Sequence, residues 1–423
     1  MKIVIISIGT QGDVRPLVAL GIGLKKLGHQ VCLVCNIKFQ PLVESAGLDF
    51  SLIDADFLEL MATNPEQLKK GKSILTIFKV ARRGILNMAD QWATQGIHAA
   101  KGADLLIGSG MSVPIVSSLS ELLDIPFAIS HLQPMTPTRK IPAMGLPLPK
   151  DKGSEWYNLA SHHVFRFIGW HILRPAINTK LRKQLGLKPY PLHSPYYLPA
   201  IKHKPILYGY SQHLLPSPKD WQANIAVSGF WFYDQAASWQ PPKYLEDFLN
   251  NGSKPIYVGF GSMLNGNAAE LTEKIITAIR LSGQRAILAS GWGGLSTEQI
   301  SGLEKQICLI DNAPHDWLFP RVSMAIHHGG AGTTAAAARA GIPSIIVPFL
   351  ADQPFWAWCL KRLGVSPGSL DQKNFSVTQL VRYIEDANSA AIQQNASQLG
   401  QKIRAENGVE NAILALKEFG YLH

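Results

Sequence analysis

Short apolar and β-branched runs alternate with helical segments along this sequence, and the alternation occurs twice. The first series of runs covers residues 2–8, 30–35, 104–109 and 126–131. The second series covers residues 255–260, 285–290, 307–310, 324–328 and 344–348. Strands that alternate with helices predict parallel sheets covered on both faces. We therefore expect an α/β protein with two doubly wound, Rossmann-like domains that face each other across a cleft.

The length and the linker composition predict where the domains divide. A chain of 423 residues is too long for one ordinary core and fits two domains. Residues 211–242 are rich in proline, tryptophan and glycine, which is typical of a break between domains. We place the N-terminal domain at 1–239 and the C-terminal domain at 240–405. Residues 406–423 carry apolar positions at helical spacing, and this last helix can pack back on the first domain.

Composition limits the classes of partner. Hydrophobic residues make up 46% of the chain and charged residues 17%, so the chain should be globular throughout. The formal net charge of +10 suits an anionic partner, but no nucleic-acid-binding signature occurs, and we expect no nucleic acid. No run approaches the roughly 20 apolar residues that span a bilayer. The four cysteines are expected to be buried, reduced thiols in a cytoplasmic protein.

The first strand is followed by a glycine turn that carries a carboxylate. Residues 9–16 read GTQGDVRP, and a helical pattern follows. Asp13 therefore lies at a helix start and at the carboxyl end of a strand, where open α/β sheets bind their ligands. Two roles fit this position: Asp13 is the N-cap of the helix, or it is a general base, since aspartates are ionised at neutral pH. The sequence leaves both roles open.

A stronger signal lies in the C-terminal domain. Residues 327–334 read HHGGAGTT and stand between a strand-like run and an alanine-rich helix. Glycines let the backbone approach a ligand, and the helix N-terminus supplies free amides and the positive end of the helix dipole. This arrangement predicts a diphosphate site that needs no metal. His327 can instead be an ordinary strand-end residue, because neighbours on a strand face opposite ways.

A second glycine turn follows the first strand of the same domain. Residues 259–263 read GFGSM. In a parallel sheet this turn lies beside the histidine turn, and Ser262 can then bond a phosphate. The alternative is a plain tight turn in which Ser262 caps a helix.

The motifs together resemble a known family. HHGGAGTT, RAGIP at 339–343, VPF at 347–349 and DQ at 352–353 resemble the donor-binding signature of the UDP-glycosyltransferase family of GT-B fold. Within that family, GTQGDVRP and PHDWLFP at 314–320 are most similar to the sterol 3-β-glucosyltransferases and their bacterial relatives. The similarity covers nearly the whole chain. It implies an inverting hexosyltransferase with the acceptor in the first domain and the donor in the second.

The resemblance also implies roles for individual residues. Asp13 is the base on the acceptor hydroxyl, with Gly12 also on the acceptor side. Asp352 and Gln353 bind sugar hydroxyls, since a carboxylate and an amide suit a vicinal pair of hydroxyls; taken alone, both residues can merely cap the next helix. The other donor contacts that the resemblance implies are Gly261, Ser262, Trp292, Asn312, Ala313, His315, His328, Gly330, Ala331, Gly332 and Thr333.

Two positions depart from the family pattern. Ala336 stands where many relatives place a glutamate on the ribose. Asn312 stands where plant members stack a tryptophan on uracil. Trp292 can supply that stacking or pack on the sheet edge. The sequence therefore supports a nucleotide sugar more firmly than it supports uridine.

One acidic motif raises the question of a metal. Residues 54–56 read DAD, a form that holds Mn²⁺ in another glycosyltransferase fold. They are far in sequence from the phosphate turn, and we interpret them as a solvated loop. Because the helix dipole and His328 can neutralise the leaving diphosphate, we expect no metal and no cofactor besides the nucleotide-sugar co-substrate.

Two stretches of the first domain combine apolar and basic residues. Residues 69–92 and 156–183 have patterns suited to a membrane interface. They can lie on an anionic bilayer, or they can be acceptor-domain helices whose charges face water. A lipophilic acceptor fits such a surface. His131, at a strand end, can line the acceptor pocket or be a satisfied core histidine.

The predicted function is transfer of a hexose, glucose by the resemblance, from a UDP-sugar to a sterol, terpenoid or other lipid. The protein would be cytoplasmic and able to associate with the inner membrane face. Three alternatives stay open: a UDP-sugar epimerase of the same architecture, a glycosyltransferase for a dTDP-sugar and a natural-product aglycone, and a non-catalytic nucleotide-sugar sensor at a membrane. A single carboxylate, Asp13, argues against the epimerase, which needs further acidic groups.

Overall fold

The chain divides into two compact units. The computed structural model describes residues 1–54, 74–149, 153–261, 268–290, 300–349 and 351–423. Unit 1 comprises Met1–Gln212, Ser217–Tyr233 and Asn407–His423, and unit 2 comprises His213–Pro216 and Asp234–Glu406. The division after Tyr233 lies a few residues before the boundary placed at Trp239 from the sequence.

Within the described residues, unit 1 is built on a seven-stranded parallel sheet in the order β3-β2-β1-β4-β5-β6-β7. Its strands are β1 (Lys2–Ile8), β2 (Gln30–Cys35), β3 (Asp49–Leu52), β4 (Leu105–Gly110), β5 (Phe127–His131), β6 (Ile206–Tyr208) and β7 (Ile225–Val227). Its helices are α1 (Gln11–Lys26), α2 (Gln40–Ser45), α3 (Ile74–Met88), α4 (Trp92–Ala100), α5 (Val113–Leu123), α6 (Glu155–Pro175) with a π-helical continuation (Ala176–Arg182), α7 (Pro199–Lys202) and, from the C-terminal segment, α15 (Gly408–Glu418).

The described part of unit 2 contains a five-stranded parallel sheet in the order β10-β9-β8-β11-β12. Its strands are β8 (Ile256–Gly259), β9 (Ala286–Ala289), β10 (Ile307–Ile310), β11 (Met324–His327) and β12 (Ser344–Ile346). Its helices are α8 (Lys243–Asn250), α9 (Ala268–Ser282), α10 (His315–Leu318), α11 (Ala331–Ala340), α12 (Gln353–Arg362), α13 (Val377–Ala387) and α14 (Ala390–Arg404). The predicted fold class, two parallel-sheet α/β domains, is confirmed.

The C-terminal helix α15 packs on α1 of unit 1. Ile413 and Leu416 of α15 belong to the same buried cluster as Ile5 of β1. Gly23 of α1 makes room for this contact, because a Cβ there would lie 2.3 Å from Cγ1 of Val409. Side-chain burial at this contact therefore ties the end of the chain to its beginning.

In both sheets the first strand lies inside the sheet, and the following strands are added first on one side of it and then on the other. In unit 1, β1 pairs with β2 on one side and with β4 on the other. In unit 2, β8 pairs with β9 on one side and with β11 on the other. Loops that follow the two central strands of such a sheet lead to opposite faces, which opens a crevice at their carboxyl ends. The two switch points, at β1/β4 and at β8/β11, are therefore the expected ligand sites.

No helix within the described ranges is both long enough and apolar enough to cross a bilayer.

Candidate active site

The switch point of unit 1 carries Asp13. The loop after β1 leads into α1, and Thr10 is the N-cap residue of that helix. One carboxylate oxygen of Asp13, Oδ2, accepts a hydrogen bond of 2.7 Å from the Thr10 main-chain N–H and one of 3.1 Å from the Thr10 hydroxyl. The side chain of Asp13 is half-buried. The sequence alternative that made Asp13 the N-cap is therefore wrong, because Thr10 occupies that position and Asp13 is the third residue of the helix, in its first turn.

Glycine is required at the entry to this loop. A Cβ on Gly9 would lie 2.2 Å from Oδ2 and 2.6 Å from Cγ of Asp13, distances that no real contact allows. The carboxylate thus packs against bare main chain. Gly12 lies exposed at the same helix start, and a Cβ there would make ordinary contact with Oγ1 of Thr10 at 3.6 Å.

The switch point of unit 2 carries the turn that follows β11. Gly329 has φ +87°, a conformation that favours glycine. A Cβ at Gly329 would lie 2.7 Å from Ile346 and 3.2 Å from the carbonyl oxygen of Gln353. His327 is fully buried, and its Nδ1 accepts a hydrogen bond of 3.1 Å from the Gly329 N–H. His327 therefore holds the turn together, which favours the strand-end interpretation of this residue.

His328 lies between the two glycine turns of unit 2. A Cβ on Gly330 would lie 2.5 Å from Nε2 of His328, and a Cβ on Gly261 would lie 3.5 Å from its Cε1. Burial lowers the pKa of His328 to about 4, and a hydrogen bond with the main chain of Gly259 only partly opposes this. The imidazole is consequently neutral at pH 7. The expectation that His328 brings a positive charge to the diphosphate is wrong for the protein without ligand; it brings a hydrogen-bonding ring.

The N-terminus of α11 has no side-chain cap among the described residues. Gly330 is its N-cap residue. A Cβ on Gly332 would meet no described atom within 4 Å. Ala331 and Thr333, on either side of Gly332, are half-buried. The first amides of α11 and the positive end of its dipole are therefore available to an anion.

Asp352 and Gln353 lie next to this turn at the start of α12. Asp352 is the N-cap residue, and its Oδ2 accepts a hydrogen bond of 2.8 Å from Nε1 of Trp356. Gln353 is buried, and its Oε1 accepts a hydrogen bond of 2.7 Å from the Phe349 N–H. Asp352 therefore occupies the N-cap position, but its side chain makes no capping hydrogen bond among the described residues. The contact of Asp352 and Gln353 with a sugar stays a prediction.

The ends of β9 and β10 provide the remaining donor-side residues. Asn312 is exposed and Ala313 is buried. His315, the first residue of α10, stacks on Phe319 with ring centroids 4.3 Å apart and an interplanar angle of 15°. Ala336 is also buried, in the core of unit 2, so it presents no group to a ribose.

Two predicted contacts, Ser262 and Trp292, lie outside the described residues. The same holds for Asp56 of the DAD motif. Asp54 lies within them, where its main-chain carbonyl accepts a hydrogen bond of 2.6 Å from Nε1 of Trp92 and its N–H donates to Gln95 at 2.8 Å.

His131 is buried at the carboxyl end of β5. Its ring centroid lies 5.8 Å from that of Tyr208 and 6.3 Å from that of Tyr196. Burial, aided by the charge of Arg166, lowers its pKa to about 3. Nδ1 has no hydrogen-bond partner among the described residues. His131 is therefore buried as a core histidine would be, but an Nδ1 without a described partner does not fit the satisfied core histidine of the sequence alternative. A role of His131 in acceptor binding stays a prediction.

Sequence reasoning missed two aromatic neighbours of these sites. Tyr257 on β8 places its hydroxyl where a Cβ on Gly259 would be 2.2 Å away, and its ring meets His315 edge-on at 5.7 Å. In unit 1, Arg166 of α6 lies 5.1 Å from the ring of Tyr196. The alternation along β8 was the available signal for Tyr257; no sequence signal pairs Arg166 with Tyr196, which lies in another element.

Two family models match the chain. Residues 3–141 match the N-terminal domain of glycosyltransferase family 28, and residues 293–410 match the C-terminal domain of the erythromycin biosynthesis protein CIII-like family. The glycosyltransferase SsfS6 of Streptomyces sp. SF2575, solved with thymidine diphosphate, superposes with a TM-score of 0.62 at 18% identity, covering 99% of each chain. At this identity the likeness shows the fold alone, and the chain shares the GT-B fold of that glycosyltransferase.

The chain is also similar in sequence to sterol 3-β-glucosyltransferases. It is 35% identical over 422 residues to the enzyme of Leptosphaeria maculans, covering 98% of this chain and 28% of that one. It is 34% identical over 431 residues to UGT80A2 of Arabidopsis thaliana, covering 98% of this chain and 65% of that one. The chain thus spans less than two thirds of the length of these relatives. The resemblance derived from the motifs is confirmed.

Proposed function

We propose that this chain is an inverting glucosyltransferase that moves glucose from UDP-glucose to the hydroxyl of a sterol or another lipophilic alcohol. The proposal depends on one observation: each switch point carries one of the two groups that the reaction needs. Unit 1 has the carboxylate of Asp13. Unit 2 has the start of α11, which no described side chain caps, beside His328. The names of the relatives supply the sugar and the acceptor class.

The chemistry follows from these groups. Asp13 takes the proton of the acceptor hydroxyl as that oxygen bonds the anomeric carbon from the face opposite the diphosphate. The bond from the anomeric carbon to the phosphate oxygen breaks, and the nucleoside diphosphate leaves with the electron pair. An α-linked donor therefore gives a β-glucoside. The amides and dipole of α11 stabilise the charge that develops on the leaving group, and His328, neutral before binding, contributes a hydrogen bond.

The proposed role of Asp13 predicts a loss of turnover without a loss of donor affinity. Asp13→Asn keeps the shape and removes the base, so transfer should fall by at least about a hundredfold while UDP affinity is unchanged. We would measure turnover by mass spectrometry and UDP affinity by calorimetry. Full turnover by Asp13→Asn would show that Asp13 is not the base and has only a structural role at the start of α1.

Product analysis distinguishes the rival functions. UDP-glucose and a sterol mixture should give a sterol glucoside. An epimerised donor would instead support the UDP-sugar epimerase, and bound but unchanged UDP-glucose would support the sensor. Because a structural neighbour holds thymidine diphosphate, the affinities for UDP and dTDP should be compared directly; a clear preference for dTDP would replace uridine in the proposal.

An exposed apolar surface on α6 supports the proposed lipophilic acceptor. Trp156 is 76% exposed, Phe167 59% and Val164 47%, which leaves large apolar groups in water. Helix α3 packs against α6 and carries exposed Arg82 and Arg83. Apolar groups beside basic groups suit an anionic bilayer. We therefore propose peripheral membrane contact through α6, with the acceptor taken from the bilayer.

Vesicle binding tests this contact. Phe167→Ser should lower co-sedimentation with anionic phosphatidylserine vesicles several-fold and have less effect with neutral vesicles, where binding is weak. Leu414→Ser is the matched control, because Leu414 is an exposed apolar residue, 54% accessible, on α15 of the same unit. Equal binding of wild type and Phe167→Ser would exclude α6 as the contact surface.

A further inference from the structure

Thr10 holds one oxygen of Asp13 with two donors. The Thr10 main-chain N–H lies 2.7 Å from Oδ2, and the Thr10 hydroxyl lies 3.1 Å from the same atom. A carboxylate that accepts two hydrogen bonds on one oxygen cannot rotate without losing both of them. The direction in which the other oxygen, Oδ1, points is therefore fixed by Thr10.

The main chain also contacts the Asp13 carboxylate. Gly9 lies directly against the carboxylate, since a Cβ there would be 2.2 Å from Oδ2. Asp13 also lies in the first turn of α1, where the positive end of the helix dipole favours a negative charge. All three features favour the ionised carboxylate in one orientation.

We propose that Thr10 is a positioning residue for the general base. Its hydroxyl keeps the Asp13 carboxylate in the orientation that presents Oδ1 to the acceptor hydroxyl. This inference rests on the proposed function, because it requires that Asp13 accepts the acceptor proton. Thr10 itself touches neither substrate and exchanges no proton.

A purely structural role of Thr10 makes a different prediction. Thr10 also starts α1, so its loss can destabilise the helix without any effect on catalysis. Ser376 provides a matched control, because its exposed side chain accepts a hydrogen bond of 3.1 Å from the Gln379 N–H at the start of α13 in unit 2. Ser376→Ala removes a helix cap far in sequence from the base.

Thr10→Val tests the proposal in the full chain. Valine has nearly the same shape but donates no hydrogen bond, and Thr10 is exposed, so the variant should fold. The KM for UDP-glucose should stay as in wild type, because the groups of unit 2 that are proposed to bind the donor are unchanged. The kcat at neutral pH should fall by about tenfold or more, because the base is less well oriented.

Two further variants make the outcome decisive. Thr10→Ser keeps the hydroxyl and should restore most of kcat, whereas Ser376→Ala should leave kcat unchanged. An unchanged kcat in Thr10→Val, with Asp13→Asn inactive, would overturn the inference and leave the proposed function intact. Active Asp13→Asn would overturn both.

Discussion

The substitution Gly332→Ala should separate donor binding from stability. Gly332 is the second residue of α11, and an added methyl would meet no described atom within 4 Å. Replacing a helical glycine by alanine stabilises a helix by roughly 0.5 to 1 kcal/mol. The free energy of unfolding should therefore stay the same or rise. The same methyl, however, stands in front of the amides that are proposed to bind the diphosphate.

The loss in affinity can be estimated from the hydrogen bonds at risk. Displacing a phosphate oxygen from one amide removes a hydrogen bond to a charged group, which is worth about 1.5 to 3 kcal/mol. The dissociation constant for UDP should then increase roughly ten to 150 fold. Titration calorimetry measures the affinity, and urea unfolding measures the stability of the same preparation.

Gly169→Ala is the matched control for this experiment. Gly169 lies in α6, where an added methyl also meets no described atom within 4 Å. It should give the same gain in helix stability with unchanged UDP affinity. If Gly332→Ala binds UDP as tightly as wild type does, the diphosphate does not approach this helix start and the donor site is misplaced.

Three further predictions follow from other contacts. Gly9→Ala should lower transfer about a hundredfold, because its Cβ would lie 2.2 Å from Oδ2 of Asp13 and would displace that carboxylate. The UDP affinity measured by calorimetry should not change. Normal turnover would show that the contact between Gly9 and the carboxylate does not matter for transfer. His328→Ala should weaken UDP binding about tenfold or more, and an unchanged dissociation constant would remove His328 from the site. Burial lowers the pKa of His131 to about 3, whereas in the unfolded chain this histidine takes up a proton near pH 6.5. The contribution of neutral His131 to stability is therefore complete above pH 6.5 and is lost as the pH falls. Lowering the pH from 7 to 5 should decrease the free energy of unfolding by about 2 kcal/mol through this residue. Urea unfolding should show this loss reduced in His131→Gln and unchanged in the exposed-site control His203→Gln, and equal losses in both would refute the assignment.

The mostly buried strands could be predicted from the sequence because their residues form continuous apolar runs of about four residues or more. The runs predicted at 2–8, 30–35 and 307–310 are found at those bounds as β1, β2 and β10. The short strands β3, β6 and β7 were missed. β3 is not buried, and β6 and β7 have only three residues each, so their apolar runs are too short to indicate a strand.

The glycine turns of the site could also be predicted, since a helix start directly after a strand needs small residues. The states of individual side chains could not. The sequence cannot show that His328 is buried enough to lose its charge, because that depends on Gly261 and Gly330 closing around it from two loops. Nor can it show that Thr10, rather than Asp13, begins α1, because either residue type is a good N-cap.

A structure of the chain with UDP bound tests the central claim most directly. The account predicts the diphosphate within hydrogen-bond distance of the main-chain N–H groups of Gly332 and Thr333 and of the His328 ring. A diphosphate bound elsewhere, with the start of α11 facing solvent, would contradict it.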